Sequence, residues 1–243
     1  MPKTDRTANG QHPSDPTAPQ EPVAVIGAAL RLPAGVDSPS SLWEALLEQR
    51  DLIGECDPKG RRNAARAHLD LVDLDHFGGY LTDVEGFQPE FFGISPREAT
   101  GLDPQHRLIV EVAWEALEHA GIAPRSLAGS RTGVYAGQSL MGYLHRIPAD
   151  DREVYHETGA VLSGIAGRLS HVLGLRGPSV AVDGACASSL IAVHLACRSL
   201  AYGESDIALA GGANIGIDSG GDVSFARAGM LSKTGRCHAF DAA

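Results

Sequence analysis

Several features that would reveal a protein's class are scarce or absent in this sequence. It has four cysteines in 243 residues, and no two of them form a C-x-x-C pair, so neither a disulfide framework nor a zinc site is indicated. The apolar runs are short and interrupted, and the amino terminus lacks the apolar core of a signal peptide. A net charge of -10 argues against a general nucleic-acid surface. We therefore expect a cytoplasmic protein that binds no metal, membrane or nucleic acid.

Two stretches are expected to lie outside the folded core. Residues 1–21 are rich in Pro, Thr, Asp and Gln and almost free of large apolar groups, which predicts a disordered tail before a folded domain over residues 22–243. Arg61, Arg62 and Arg66 form a local basic cluster. Because no aromatic residues are interleaved with it, we interpret this cluster as a solvated face.

The remaining sequence alternates between apolar strand patterns and helix patterns. Ser38-Pro39 and Asp103-Pro104 are typical helix starts, and Gly121 is a typical helix end. Repeated alternation of strand and helix implies an α/β fold with a mainly parallel sheet between helical layers. Strands are predicted at residues 23–26, 77–81, 132–136, 179–182 and 206–210, and a helix rich in small residues, including Gly159, Gly164 and Gly167, is predicted at 158–173.

The stretch 180–190 contains the candidate nucleophile. Its apolar strand pattern breaks at Asp183-Gly184 and resumes as a helix pattern at Cys186. A thiol in the first turn of a helix lies near unpaired N–H groups and the positive end of the helix dipole, which favour the reactive thiolate. The alternative is a buried, inert cysteine, which is common. Because the helix pattern over 186–201 is apolar nearly all round, we expect that helix to be buried on most faces.

Other candidate groups near this thiol have simpler interpretations. A G-x-nucleophile-x-G elbow needs glycine where Ser188 stands, so a hydrolase is disfavoured, and Ser188 and Ser189 are interpreted as helix-capping residues. His194 follows the thiol on the same helix at about 12 Å, too far to act as its base. His171 is expected at a helix end, and Asp183 is expected to bind backbone N–H groups in the turn.

Residues 182–190, read Val-Asp-Gly-Ala-Cys-Ala-Ser-Ser-Leu, resemble the nucleophile motif of β-ketoacyl synthases. Further segments resemble the same family in order, from about residue 21 to the end, and are most similar to ketosynthase domains of type I polyketide synthases. These segments are Glu21-Pro-Val-Ala-Val-Ile-Gly27, Arg31-Leu-Pro33, Phe91-Phe-Gly-Ile-Ser95, Leu102-Asp-Pro-Gln-His-Arg107, Trp114-Glu-Ala-Leu117, Gly174-Leu-Arg-Gly-Pro-Ser179, Ala210-Gly-Gly-Ala-Asn214 and Gly235-Arg-Cys-His-Ala-Phe-Asp241.

The resemblance implies a fold and a reaction. The fold is thiolase-like, with αβαβα layers around two buried helices, and the family's N-terminal half carries most of the dimer contact. The implied reaction begins when Cys186 takes an acyl group from the phosphopantetheine arm of an acyl carrier protein, with its own backbone N–H as an oxyanion donor. A malonyl-type thioester then loses carbon dioxide and condenses with that acyl group. No cofactor bound in the chain is implied.

The chain departs from the family pattern in its length and in two motif residues. It stops at Ala243, and no histidine in it matches the two catalytic histidines that the family holds in its C-terminal half. Gly184 and Ala187 stand where Thr and Ser are commoner. We therefore expect a truncated or split ketosynthase that needs a histidine-bearing half, with open sheet edges and an exposed apolar face. The alternative is a non-catalytic remnant that serves dimerisation or carrier-protein binding.

Overall fold

A computed structural model describes residues 22–55, 77–216 and 220–240. The predicted tail at 1–21 and the basic cluster of Arg61, Arg62 and Arg66 lie outside the described residues. The helices are α1 (Pro39–Leu47), α2 (Pro96–Gly101), α3 (Pro104–His119), α4 (Val154–Gly159), α5 (Gly164–Leu173), α6 (Ser188–Ala201) and α7 (Gly220–Arg227), and the strands are β1 (Gly54–Glu55), β2 (Phe77–Gly78), β3 (Thr132–Gly137), β4 (Ser179–Val182) and β5 (Ile207–Gly212).

A parallel three-stranded sheet in the order β4-β3-β5 forms the centre of the fold. The central strand β3 is buried at every residue, as expected for a strand that is covered on both faces. Its side chains alternate between two apolar clusters, so that Val134 packs with α3 and α5 while Tyr135 packs with α6. The sheet therefore lies between helical layers, which confirms the predicted α/β architecture.

Local capping signals explain where α3 begins and ends. The Asp103 carboxylate accepts a hydrogen bond from the N–H of Gln105 at 2.8 Å, and Pro104 occupies the first turn, where its missing N–H costs nothing. Gly121 follows the helix with φ +71°, a left-handed conformation that suits glycine. The helix predicted after Ser38 is also confirmed as α1, and the Ser38 hydroxyl accepts from the N–H of Ser41.

The predicted strand at 23–26 is wrong. This segment forms no regular secondary structure and pairs with no strand in the described part of the chain, and Val25 is 88% exposed. A cleft of about 1130 Å³ separates residues 22–29 from β5, whose only strand partner among the described residues is β3. The segment is held to α3 instead, through the Ala28 N–H to His119 Nδ1 contact at 3.2 Å and the Arg31–Glu115 ion pair.

Two helix predictions also need correction. The helix predicted at 158–173 is divided into α4 and α5, because residues 160–163 leave the helical path. Gly159 and Gly164 permit close packing, since a Cβ there would lie 2.2 Å from Gly101 O and 2.8 Å from the His106 ring, whereas Gly167 faces open space.

Helix α6 begins at Ser188 rather than Cys186, and it is not buried on most faces. Its inward stripe is small and includes Ala192 and Ala196, while Leu190 is 74% and Val193 44% exposed. The predicted open edges and exposed apolar face are therefore present in the described residues.

Candidate active site

The carboxyl ends of β3, β4 and β5 lie at the same end of the sheet, and the loops that follow these strands form the candidate site. Open parallel sheets bind ligands at this end of their strands. The loop after β4 carries the turn of Cys186, whose thiol is exposed. Helix α6 starts immediately behind that turn.

Cys186 lies in a 3-10 turn over Ala185–Ala187, not in the first turn of α6 as predicted. Ala185 has φ +51°, a left-handed conformation that costs a residue with a Cβ about 1–3 kcal/mol. The N–H of Ala187, the residue after Cys186, already has an acceptor, because it donates to Gly184 O at 3.1 Å. Within the described residues no acceptor is found for the N–H of Cys186. The turn thus presents a thiol beside a backbone N–H that has no acceptor in the part of the chain that the structure describes.

Ser188 holds this turn from inside the fold. It is 6% exposed, its hydroxyl accepts from the N–H of Gly184 at 2.9 Å, and it donates to Ala185 O at 2.7 Å. The N-cap of α6 is Ala187, which makes no side-chain capping bond. The capping interpretation of Ser188 is therefore wrong in detail, because its hydroxyl bridges the preceding turn rather than the helix amides.

The Asp183 carboxylate binds the turn as predicted. Its Oδ1 accepts from the N–H of Ala185 at 3.0 Å and from the Ser139 hydroxyl at 2.7 Å. The Ala185 N–H, followed by the Ser139 hydroxyl, holds the pKa of the Asp183 carboxyl below its ordinary value. Asp183 is therefore an ionised acceptor that joins the loop after β3 to the nucleophile turn.

Two glycines let the start of α6 rest directly on the ends of the strands. A Cβ at Gly137, the last residue of β3, would lie 2.8 Å from the carbonyl carbon of Ser188 and 2.9 Å from Ser189 N. A Cβ at Gly212 would lie 3.2 Å from the Ser189 Cβ. Only a residue without a side chain fits at Gly137, because the atoms it would meet are backbone atoms and the Cβ of Ser188, which cannot rotate away.

A buried polar cluster behind the site was missed by sequence reasoning. Asp103, Gln105, His106 and Gln138 are each at most 1% exposed. Gln105 Nε2 donates to Leu140 O at 2.8 Å, and Gln105 Oε1 accepts from the Ile215 N–H at 3.0 Å. The available signal was the run of polar residues on the inward side of the first turn of α3.

The tautomer of His106 follows from this cluster. Gln138 Nε2 donates to Leu140 O at 3.1 Å, so the Gln138 oxygen accepts, and His106 Nε2 at 3.0 Å must be the donor. His106 Nδ1 is then a bare buried acceptor with no partner in the described residues. Burial, reinforced by the charge of Arg168 and opposed by the Gln138 hydrogen bond, lowers the pKa of His106 to about 4.

We expect this histidine to make stability fall in acid. Below pH 6.5 the unfolded chain takes up a proton that the folded chain excludes until about pH 4, so the free energy of unfolding drops by about 3 kcal/mol across that window. Urea unfolding at pH 7.0 and 4.5 measures the drop. In His106→Gln, whose amide can still donate to Gln138, the drop should shrink by about 2–3 kcal/mol. An equal drop in His106→Gln and in the wild type would contradict the assignment.

The other predicted groups lie elsewhere. His171 is in the last turn of α5 and His194 is exposed on α6. Among the described residues, no group of three or more His, Cys, Asp or Glu side chains could hold a metal ion. No helix in the described ranges is both long enough and apolar enough to cross a bilayer.

Comparison with known proteins shows the family of this chain. The family model for the β-ketoacyl synthase N-terminal domain matches residues 20–243. The chain belongs to the β-ketoacyl synthase family. Its similarity to a mycocerosic acid synthase-like polyketide synthase of Mycolicibacterium smegmatis is 47% identity over 91% of this chain and 11% of the relative. Its similarity to a phenolphthiocerol/phthiocerol polyketide synthase of Mycobacterium tuberculosis is 49% identity over 92% of this chain and 15% of the relative.

Solved ketosynthases share the fold. The ketosynthase from module 6 of the bacillaene synthase of Bacillus subtilis matches with a TM-score of 0.77 and 32% identity, over 90% of this chain and 36% of that one. The oxazolomycin ketosynthase domain of a Streptomyces albus strain matches with a TM-score of 0.75 and 33% identity, over 89% of this chain and 39% of that one. The thiolase-like fold of a ketosynthase N-terminal domain is thereby confirmed, and the chain spans well under half of each matched protein.

Proposed function

We propose that this ketosynthase domain accepts an acyl group on the Cys186 thiol during polyketide biosynthesis. The observation that carries the proposal is the exposure of this thiol on a strained turn, at the end of a parallel strand and directly before α6. A nucleophile that must reach a carbonyl carried by another protein has to be accessible in this way. The ketosynthase motif at 182–190 and the polyketide synthase relatives support the same assignment.

The first stage is a thioester exchange. The Cys186 thiolate attacks the carbonyl carbon of an acyl thioester on the phosphopantetheine arm of an acyl carrier protein, and the carbonyl electron pair moves to oxygen. The N–H of Cys186 donates a hydrogen bond to that oxyanion. When the oxyanion collapses, the bond to the arm's sulfur breaks, and that sulfur leaves as a thiolate and takes up a proton. The product is an acyl thioester on Cys186.

The second stage is a decarboxylative condensation. A malonyl-type thioester loses carbon dioxide, and its enolate carbon attacks the acyl carbonyl on Cys186, which forms a carbon–carbon bond and releases the thiolate. The family resemblance assigns enolate stabilisation to two histidines that this chain does not match. We therefore propose that a histidine-bearing C-terminal half completes the site. Homodimerisation is a further proposed contact, supported by the open edges of β4 and β5 in the described residues.

One observation favours a second function. Leu190 and Val193 give α6 an exposed apolar face, and apolar patches on a folded surface mark interaction sites. A non-catalytic ketosynthase domain that serves dimerisation or carrier-protein binding would use this face and leave the thiol idle. The two functions differ in whether Cys186 becomes acylated.

Incubation with an acyl-N-acetylcysteamine thioester distinguishes them. Intact-mass analysis of the purified chain should show the gain of one acyl group, and peptide mapping should locate it on Cys186. Circular dichroism on the same sample verifies the fold. No mass gain in a folded chain would reject the catalytic proposal and favour the interaction module. Acylation at Cys237 instead, the other exposed thiol among the described residues, would reject the assignment of the nucleophile.

A further inference from the structure

A hydrogen bond from the loop after β3 connects the turn of Cys186 to the rest of the protein. Asp183 Oδ1 receives the N–H of Ala185 at 3.0 Å from within the turn and the Ser139 hydroxyl at 2.7 Å from the loop after β3. Asp183 is exposed, so without the second donor its carboxylate is free to rotate toward water. The Ser139 hydroxyl therefore fixes the acceptor that in turn holds Ala185.

The loop around Ser139 is rigidly held on both sides. Before it, Gln138 is 1% exposed and its N–H donates to Val182 O at 3.1 Å. After it, Leu140 O accepts from Gln138 Nε2 at 3.1 Å and from Gln105 Nε2 at 2.8 Å. Buried amides with several partners resist rearrangement, because any movement leaves a polar group unpaired. Ser139 thus extends from a fixed support to the reactive turn.

The turn needs such support because of its backbone conformation. Ala185 holds φ +51° immediately before Cys186, and a residue with a Cβ keeps that conformation only when its surroundings enforce it. The N–H of Ala185 is the group that Asp183 binds. Loss of the Ser139 contact weakens the restraint on the Ala185 N–H and leaves the Ser188 hydroxyl, which donates to Ala185 O at 2.7 Å, to hold the peptide before Cys186 alone.

We propose that Ser139 is a positioning residue for the Cys186 thiol. It acts through Asp183 and the Ala185 amide to hold the turn in its strained conformation, with the thiol beside the free N–H of Cys186. The inference rests on the proposed acyl-accepting function of Cys186. It extends that function by naming a residue, on another loop and distant in sequence, on which the rate of acylation depends.

The test compares Ser139→Ala with Ser139→Thr and with Ser126→Ala. Ser126 is an exposed serine with a single local hydrogen bond to Ala123 O at 2.7 Å, so it matches the chemical change away from the site. With the acyl-N-acetylcysteamine thioester, Ser139→Ala should lower the acylation rate constant at saturation about tenfold with the half-saturating concentration unchanged, which corresponds to about 1.4 kcal/mol. Ser139→Thr, which keeps the hydroxyl, should restore the rate to within about twofold of wild type, and Ser126→Ala should match wild type.

A second measurement separates this inference from the proposed function. Alkylation of Cys186 by iodoacetamide, followed by peptide mapping, reports the thiol whether or not the chain takes an acyl group. Ser139→Ala should slow alkylation about threefold at pH 7.5, with the urea midpoint within error of Ser126→Ala, because an altered turn no longer holds the thiol in the exposed position at which the reagent reaches it. Equal alkylation in Ser139→Ala and wild type would overturn the positioning role. If wild type takes no acyl group but alkylation slows as expected, the proposed function fails and the positioning role stands.

Discussion

Cys186→Ala should abolish acylation of this chain by an acyl thioester, with the mass gain falling to the background of a sample without thioester. The substitution leaves a methyl group where the attacking sulfur was, and a hydrocarbon side chain cannot form the covalent intermediate. Because the thiol is exposed, the free energy of unfolding should change by no more than about 0.5 kcal/mol. Intact mass and urea unfolding on the same preparation measure both effects.

Cys237→Ala is the matched control, since it removes another exposed thiol among the described residues. It should keep the full mass gain. A gain that survives in Cys186→Ala and disappears in Cys237→Ala would identify Cys237 as the acylated thiol and refute the assignment. A gain that survives in both variants would identify acylation of some other group.

Gly137→Ala should produce the largest loss of stability, about 3 kcal/mol in the free energy of unfolding, measured by urea denaturation. The new Cβ would lie 2.8 Å from the carbonyl carbon of Ser188, and a backbone atom at the start of a helix cannot move aside without displacing the helix. The displacement also moves the turn of Cys186, so acylation in the folded fraction should slow as well.

The control for Gly137→Ala is the same substitution at Gly167. That glycine lies within α5 and a Cβ there meets no atom within 4 Å. Alanine favours helix over glycine by about 1 kcal/mol, so Gly167→Ala should raise stability by about that amount. A similar loss in both variants would contradict the packing argument at Gly137.

Elements defined by local chemistry were predictable from the sequence. Asp103-Pro104 and Gly121 fix the two ends of α3 through interactions within a few residues, and the structure confirms both. The candidate thiol at Cys186 and its small neighbours were likewise evident. The turn's exact form was not, because the left-handed conformation of Ala185 depends on contacts from another loop, which periodicity does not reveal.

The predictions that were wrong concern segments whose structure depends on residues distant in sequence. Residues 23–26 have the apolar content of a strand but lie across a cleft from β5, so their backbone finds no ladder in the described residues. The apolar pattern of α6 predicted burial all round, yet Leu190 has no neighbouring layer there to cover it. The buried amides of Gln105 and Gln138 were missed because polar residues at a helix start or after a strand predict exposure to solvent, whereas here both side chains donate to the carbonyl oxygen of Leu140.

The parallel sheet has a consequence for the order in which the chain acquires its structure during synthesis. Strand β3 cannot complete its pairing until β5 has been made, and the contact that closes this pair, Arg131 to Asp206, joins residues 75 positions apart. Helix α3, whose ends are fixed by residues close to them in sequence, can form much sooner. Its apolar side then remains uncovered until the strands that pack against it have been synthesised. Non-local parallel pairing of this kind folds slowly, so the nascent chain passes through a stage in which that apolar side is available to chaperones.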